Sequence, residues 1–156
     1  MRNELMTPKN KKRLGLERKQ KPKVEMIKRG EVYRVKIIDA RGKEQKGNKK
    51  GDRLAVVVSD NLHNSKNNTI IIVPLTSKIK KKNYLFHVPT FFQGKPGKAK
   101  CEQVRTLTIE RFGRKPKLLG QLTEQEMREI NKTLLSVLGL EEYFEEKLKE
   151  ILTKYF

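Results

Sequence analysis

"RLAVVVSDNLHNSKNNTIIIVPLTS", residues 53–77, holds two short aliphatic runs separated by a polar stretch. "RLAVVVSD" (53–60) and "TIIIVPLTS" (69–77) are too short for helices and rich in β-branched residues, which predicts two buried strands. Pro74 falls near the end of the second, where the loss of an N–H is tolerated. The "NLHNSKNN" between them reads as a loop. Upstream, "RGEVYRVKIIDA" (29–40) alternates, with Tyr33, Val35 and Ile37 on one face and Val32, Arg34 and Lys36 on the other, the pattern of a half-buried strand. "RGKEQKGNKKGD" (41–52) is a Gly/Lys/Asn loop. Downstream, "NYLFHVPT" (83–90) predicts a fourth strand, "FQGKPGKAK" (92–100) a turn, and "CEQVRTLTI" (101–109) a fifth strand. Five strands with polar connections predict a mainly β fold, a small and strongly bent barrel.

Beyond residue 121 the period changes. "LTEQEMREINKTLLSVLGL" (122–140) opens on Thr123 with Glu126 three residues later, a capping box. Met127, Ile130, Leu134, Leu135 and Leu138 form a helical stripe, and Gly139 is a C-terminal stop. "EEYFEEKLKEILTKYF" (141–156) gives a second stripe, Phe144, Leu148, Ile151, Leu152 and Tyr155. It predicts an amphipathic helix packed on the barrel or on a second copy.

The chain has 156 residues, the length of one domain with tails. Its formal net charge of +19 selects for polyanions, because basic side chains release the counterions condensed on phosphate backbones. Nucleic acid and an acidic protein partner are therefore expected. A membrane is not, since no apolar run approaches eighteen residues and no helix is strongly basic. Residues 1–27, with "PKNKKRLGLERKQKPK" at their centre, carry few large apolar side chains and predict a disordered basic arm. One cysteine makes no internal disulfide, and the opening segment shows no signal-peptide hydrophobic stretch; both fit a cytoplasmic protein. With two separated histidines and that one cysteine, neither a metal site nor a cofactor is expected.

In the order "RGEVY" (29–33), "GDRLAVVVSDN" (51–61), "IIIVPLTS" (70–77) and "CEQVRTLTIERF" (101–112), followed by a helix ending "SVLGL", the chain resembles the MazF/PemK (Kid) family of toxin endoribonucleases from type II toxin–antitoxin systems. The resemblance spans residues 28–140 and leaves out the basic arm and the last sixteen residues. It implies an SH3-like barrel with a C-terminal helix, assembled as a homodimer. It also implies sequence-selective, metal-independent cleavage of single-stranded RNA (mRNA), leaving a 2′,3′-cyclic phosphate and a 5′-hydroxyl, and inhibition by an antitoxin with an acidic tail.

Such cleavage uses the RNA's own 2′-hydroxyl as nucleophile, so the protein supplies a base, an acid and donors to the phosphorane. By resemblance, Arg53 is the family's phosphate-binding Arg and Thr76 its active-site Thr, with Ser77 beside it. Lys100 and Glu102 stand where the Kid-like branch carries Arg and Asp around the same Cys, which makes them an acid–base or base–stabiliser pair. Leu54 replaces the usual Pro. Read as one strand, 100–106 puts Lys100 and Glu102 on one face and Cys101, Gln103 and Arg105 on the other. Cys101, at first sight a candidate nucleophile, then becomes a small inward-facing filler. Arg105, His63 and Lys43 are candidate RNA contacts, whereas His87 reads as a packed or rim histidine. The alternative left open is a non-catalytic nucleic-acid-binding barrel, and a third reading is a basic ribosome-associated protein.

Overall fold

The computed structural model describes residues 26–79 and 84–155. The basic arm lies outside them except for Met26 and Ile27. Seven strands form one antiparallel sheet: β1 (Glu31–Lys36), β2 (Asp52–Val57), β3 (Thr69–Thr76), β4 (His87–Phe92), β5 (Lys95–Lys100), β6 (Arg105–Thr108) and β7 (Leu118–Gln121). Their order is β4-β5-β3-β2-β1-β7, with β6 also paired to β3, and the sheet curls into a half-barrel.

The central strands bury both faces, as the unbroken aliphatic runs require. Tyr33, Val35, Ala55, Val57, Ile70, Ile72 and Leu107 fill the core on one side. Val32, Val56, Val73, Leu75, Val88, Ala99 and Cys101 fill the core on the other. A helix, here α2 (Glu124–Val137), closes the second core with Met127, Ile130, Leu134 and Val137. Its capping box forms as read: the Thr123 side chain accepts from the Glu126 amide while the Glu126 carboxylate accepts from the Thr123 amide. Leu138, placed in the stripe by its spacing, is instead 57% exposed.

Three sequence readings change. "FQGKPGKAK" is not a turn: only Gln93 and Gly94 turn, both with positive φ, and Lys95–Lys100 returns as β5. Its Pro96 pairs with Phe91 of β4, while β3 meets β5 only at Lys98 and Ala99, so the missing N–H breaks no bond to β3. The "NLHNSKNN" loop contains α1 (Asn61–Lys66), capped by the Asp60 carboxylate, which accepts from the Leu62 amide. The fifth strand is split: Cys101–Gln103 forms a 3₁₀ turn, and β6 begins only at Arg105.

The last helix, α3 (Glu141–Tyr155), does not pack on the barrel; each of its residues is exposed, Phe144 and Leu148 by 52% and 57%. Stability therefore resides in the two sheet cores. Ile72→Ala, at a position with no exposed surface, should lower the urea-unfolding free energy by about 2–5 kcal/mol. Leu148→Ala should change it by less than about 0.5 kcal/mol.

Candidate active site

Beside the second core lies a cleft of about 860 Å³. β2 contributes Arg53 to it, the end of β3 Thr76, β4 His87, β5 Lys100, and the 3₁₀ turn Glu102. Its other wall is the Gly/Lys loop after β1. Six Lys or Arg line the cleft against two Glu, so its field is positive and suits a polyanion.

Register explains why these residues meet. β5 and β6 both pair with the same edge of β3, at Leu75↔Ala99 and at Ile72↔Arg105. Three residues along β3 are thus matched by six on the facing chain, and the excess is taken up by the 3₁₀ turn. That turn drives Cys101 into the core, where it is fully buried, and leaves Glu102 exposed at the cleft. Gly97 of β5 permits the close approach beside Thr76: a Cβ there would lie 2.7 Å from the Thr76 carbonyl oxygen.

Arg53 is half-buried and donates from Nε to the Lys46 carbonyl oxygen at 2.8 Å, with a second bond from Nη2 to the same oxygen. It therefore clasps the loop, and the Gln45 amide donates to the Gln103 side-chain oxygen at 3.1 Å, tying the loop to the 3₁₀ turn as well. Burial lowers the Arg53 pKa from the ordinary guanidinium value. Guanidinium nonetheless remains charged in proteins, and among the described residues three of its five N–H groups have no acceptor, a fork that suits phosphate oxygens. Thr76 is buried and its Oγ1 accepts from the Lys78 amide at 3.2 Å, a turn of the local kind. Among the described residues, its hydroxyl proton has no acceptor. Lys100 lies opposite His87 in the β4–β5 register, and His87 Nε2 sits 2.9 Å from Glu102 Oε1. The Tyr84 ring stands 4.8 Å from the His87 ring, tilted 41°.

Of the other sequence candidates, Lys43 lines this cleft. Ser77 lines an adjoining one of about 390 Å³ that shares Arg53 and Thr76. His63 and Arg105 are not brought to either. His63 sits on α1 with Nε2 at 3.1 Å from the Thr69 carbonyl oxygen, and Arg105 turns to Asp39 at 3.8 Å. Gln103, which strand alternation placed on the face away from Glu102, joins it in the cleft because the 3₁₀ turn breaks the alternation. His87, read from the sequence as a packed or rim histidine, is both largely buried and part of the cleft lining. Its signal is the Gln93–Gly94 pair: a two-residue turn there pairs Phe92 with Lys95 and, counting outward, His87 with Lys100. Among the described residues, no three His, Cys, Asp or Glu come together as a metal site.

Burial, and then the Glu102 charge, push the Cys101 thiol up to about 12. The reactive thiolate is thus scarce in the folded protein until the pH approaches that value. A thiol reagent at about pH 8, near the ordinary thiol pKa, should leave the native chain unlabelled and label it fully in denaturant; rapid native labelling would place Cys101 outside the core.

Comparison with known proteins agrees with this architecture. A model of the PemK-like, MazF-like toxins of type II toxin–antitoxin systems matches residues 28–138. The chain is 29% identical over 123 residues to the endoribonuclease MazF of Staphylococcus saprophyticus, covering 74% of this chain and 93% of that one. Its fold is similar to a crystal structure of MazF from Deinococcus radiodurans, with a TM-score of 0.60 at 24% identity over 74% of this chain and 98% of that one. It is also similar to a mycobacterial endoribonuclease in complex with its cognate antitoxin, with a TM-score of 0.57 at 23% identity, covering 73% and 96%.

Proposed function

The chain belongs to the PemK-like, MazF-like toxins of type II toxin–antitoxin systems, and from that premise we propose that it is an endoribonuclease that cuts single-stranded RNA by attack of the 2′-hydroxyl. One observation carries the reading: Arg53, Thr76, Lys100 and Glu102, drawn from four different elements, line a single basic cleft.

Each group has a task. The Glu102 carboxylate takes the 2′-hydroxyl proton; the O–H bond breaks, a carboxyl O–H forms, and the 2′-oxygen bonds to phosphorus. The guanidinium of Arg53 and the hydroxyl of Thr76 donate to the non-bridging oxygens, whose charge grows in the transition state. As the bond from phosphorus to the 5′-oxygen breaks, Lys100 gives that oxygen a proton. The products are a 2′,3′-cyclic phosphate and a 5′-hydroxyl, and Lys100 and Glu102 return to their starting states by exchange with water. No protein nucleophile is used, in keeping with a buried Cys101.

The cleft's positive lining also suits the acidic tail of a cognate antitoxin, which would compete with RNA for the same charges. The proposal extends to a homodimer and a cytoplasmic location, which the family resemblance supports. RNA bound but never cut, at any sequence, would favour the non-catalytic barrel instead.

Single-stranded RNA incubated with the protein in EDTA should yield fragments with 5′-hydroxyl and cyclic phosphate ends. Products with 5′-phosphates, or cleavage abolished by EDTA, would count against the mechanism. Arg53→Ala and Glu102→Gln should each slow cleavage by about 10²-fold or more, measured under single-turnover conditions.

A further inference from the structure

His87 and Glu102 lie fifteen residues apart on different elements and meet through Nε2 and Oε1 at 2.9 Å. The His87 side chain is only 11% exposed and that of Glu102 32%, so the imidazole lies beneath and the carboxylate nearer the mouth. Tyr84 packs against the ring, and β4 fixes the backbone of His87 opposite Lys100. Among the described residues, Glu102 Oε2 accepts no hydrogen bond. The carboxylate is therefore held by one oxygen and open at the other.

We propose that His87 is a positioning residue for cleavage, its Nε2–H holding Oε1 of Glu102 so that Oε2 meets the 2′-hydroxyl proton. This rests on the ribonuclease reading above and adds a residue to it. A glutamate on an exposed turn has three rotatable side-chain bonds, and a mobile base is poorly placed for transfer. The imidazole removes that freedom through its bond to Oε1. The proton inventory is unchanged: Oε2 gains the 2′-hydroxyl proton, and the Nε2–H stays on the ring. Nδ1 is then the unprotonated nitrogen when the ring is neutral.

The test is steady-state cleavage of a single-stranded RNA oligonucleotide by the full chain. His87→Ala should lower kcat by about 10- to 100-fold, the usual cost of losing a partner that orients a working group, with KM little changed. His87→Gln, whose side-chain N–H can reach the same oxygen, should restore most of the rate. Added to Glu102→Gln, His87→Ala should cost nothing further, because an amide at 102 no longer takes the proton and its placement no longer matters. Melting curves of all variants exclude unfolding as the cause. A wild-type kcat in His87→Ala, a loss confined to KM, or a full additional loss in the Glu102→Gln background would each overturn the proposal and leave the ribonuclease reading standing. Failure of the wild-type chain to cut RNA would overturn both. In nuclear magnetic resonance spectra, a His87 Nε2–H resonance protected from exchange in the wild type and lost in Glu102→Ala supports the contact; its absence in the wild type overturns it.

Discussion

One edge of β3 serves two strands, and the site depends on how that edge is shared. A single strand pairing along the whole edge would keep the alternation of 100–108 intact and send successive side chains to opposite faces. Instead β5 and β6 arrive out of step by the three residues of the 3₁₀ turn. The turn's first residue enters the core and its second stands at the cleft. Burial of Cys101 and presentation of Glu102 are two consequences of one register slip. The small, apolar character of the thiol side chain matters more than its chemistry, since a larger residue would not fit a fully buried position at the foot of the turn.

The opposite wall has a different origin. Loop 41–51 contains no strand; backbone bonds tie Gly47 and Gly51 to Ile37, and side chains that grip its backbone add to them. Arg53 holds the Lys46 carbonyl, Gln103 the Gln45 amide, and Asn48 the amides of Lys50 and Asp52. The Lys36–Asp52 pair at 2.7 Å and the clasp of Asp39 by Arg111 close the loop's two ends. Arg53 therefore does two things at once: it fixes the basic wall and keeps three N–H groups for an anion. The loop's shape and the cleft's basic lining thus meet in a single side chain.

How much of this is legible in the sequence follows from the type of signal each element carries. The strands that run through "LAVVV" (54–58) and "TIIIV" (69–73) are driven by burial and declare themselves by composition. The α2 helix declares itself by its capping box. β5 does not, because "KPGKAK" looks like a turn: its backbone pairs on sheet geometry, with only Ala99 buried. β7 escapes a sequence reading for the same reason, being short and half-exposed. Site residues that family resemblance points to, Arg53, Thr76, Lys100 and Glu102, do share a cleft, but Lys100 reaches it from β5 and Glu102 from a turn rather than both along one strand face. His63 and Arg105 are absent from it because helix α1 and the Asp39 carboxylate claim them. Pair contacts such as His87–Glu102 have no local signature at all, since they exist only once the β4–β5 hairpin and the 3₁₀ turn are both formed.

The Glu and Lys at 102 and 100, in place of a shorter carboxylate and a planar guanidinium, acquire a physical logic from that contact. A glutamate reaches farther than an aspartate but carries one more rotatable bond, and ordering it costs more entropy. Such a side chain works as a base only where something fixes its head group, and in this cleft the imidazole is the group within bonding distance. A lysine, in turn, offers a point charge that can follow the leaving oxygen but cannot grip a phosphate with two parallel bonds. In the proposed mechanism that leaves the planar recognition of phosphate to Arg53. In that mechanism the bidentate donor stands on β2 and the proton-transfer groups on β5 and the 3₁₀ turn, so their alignment rests on the β2–β3–β5 register that joins them.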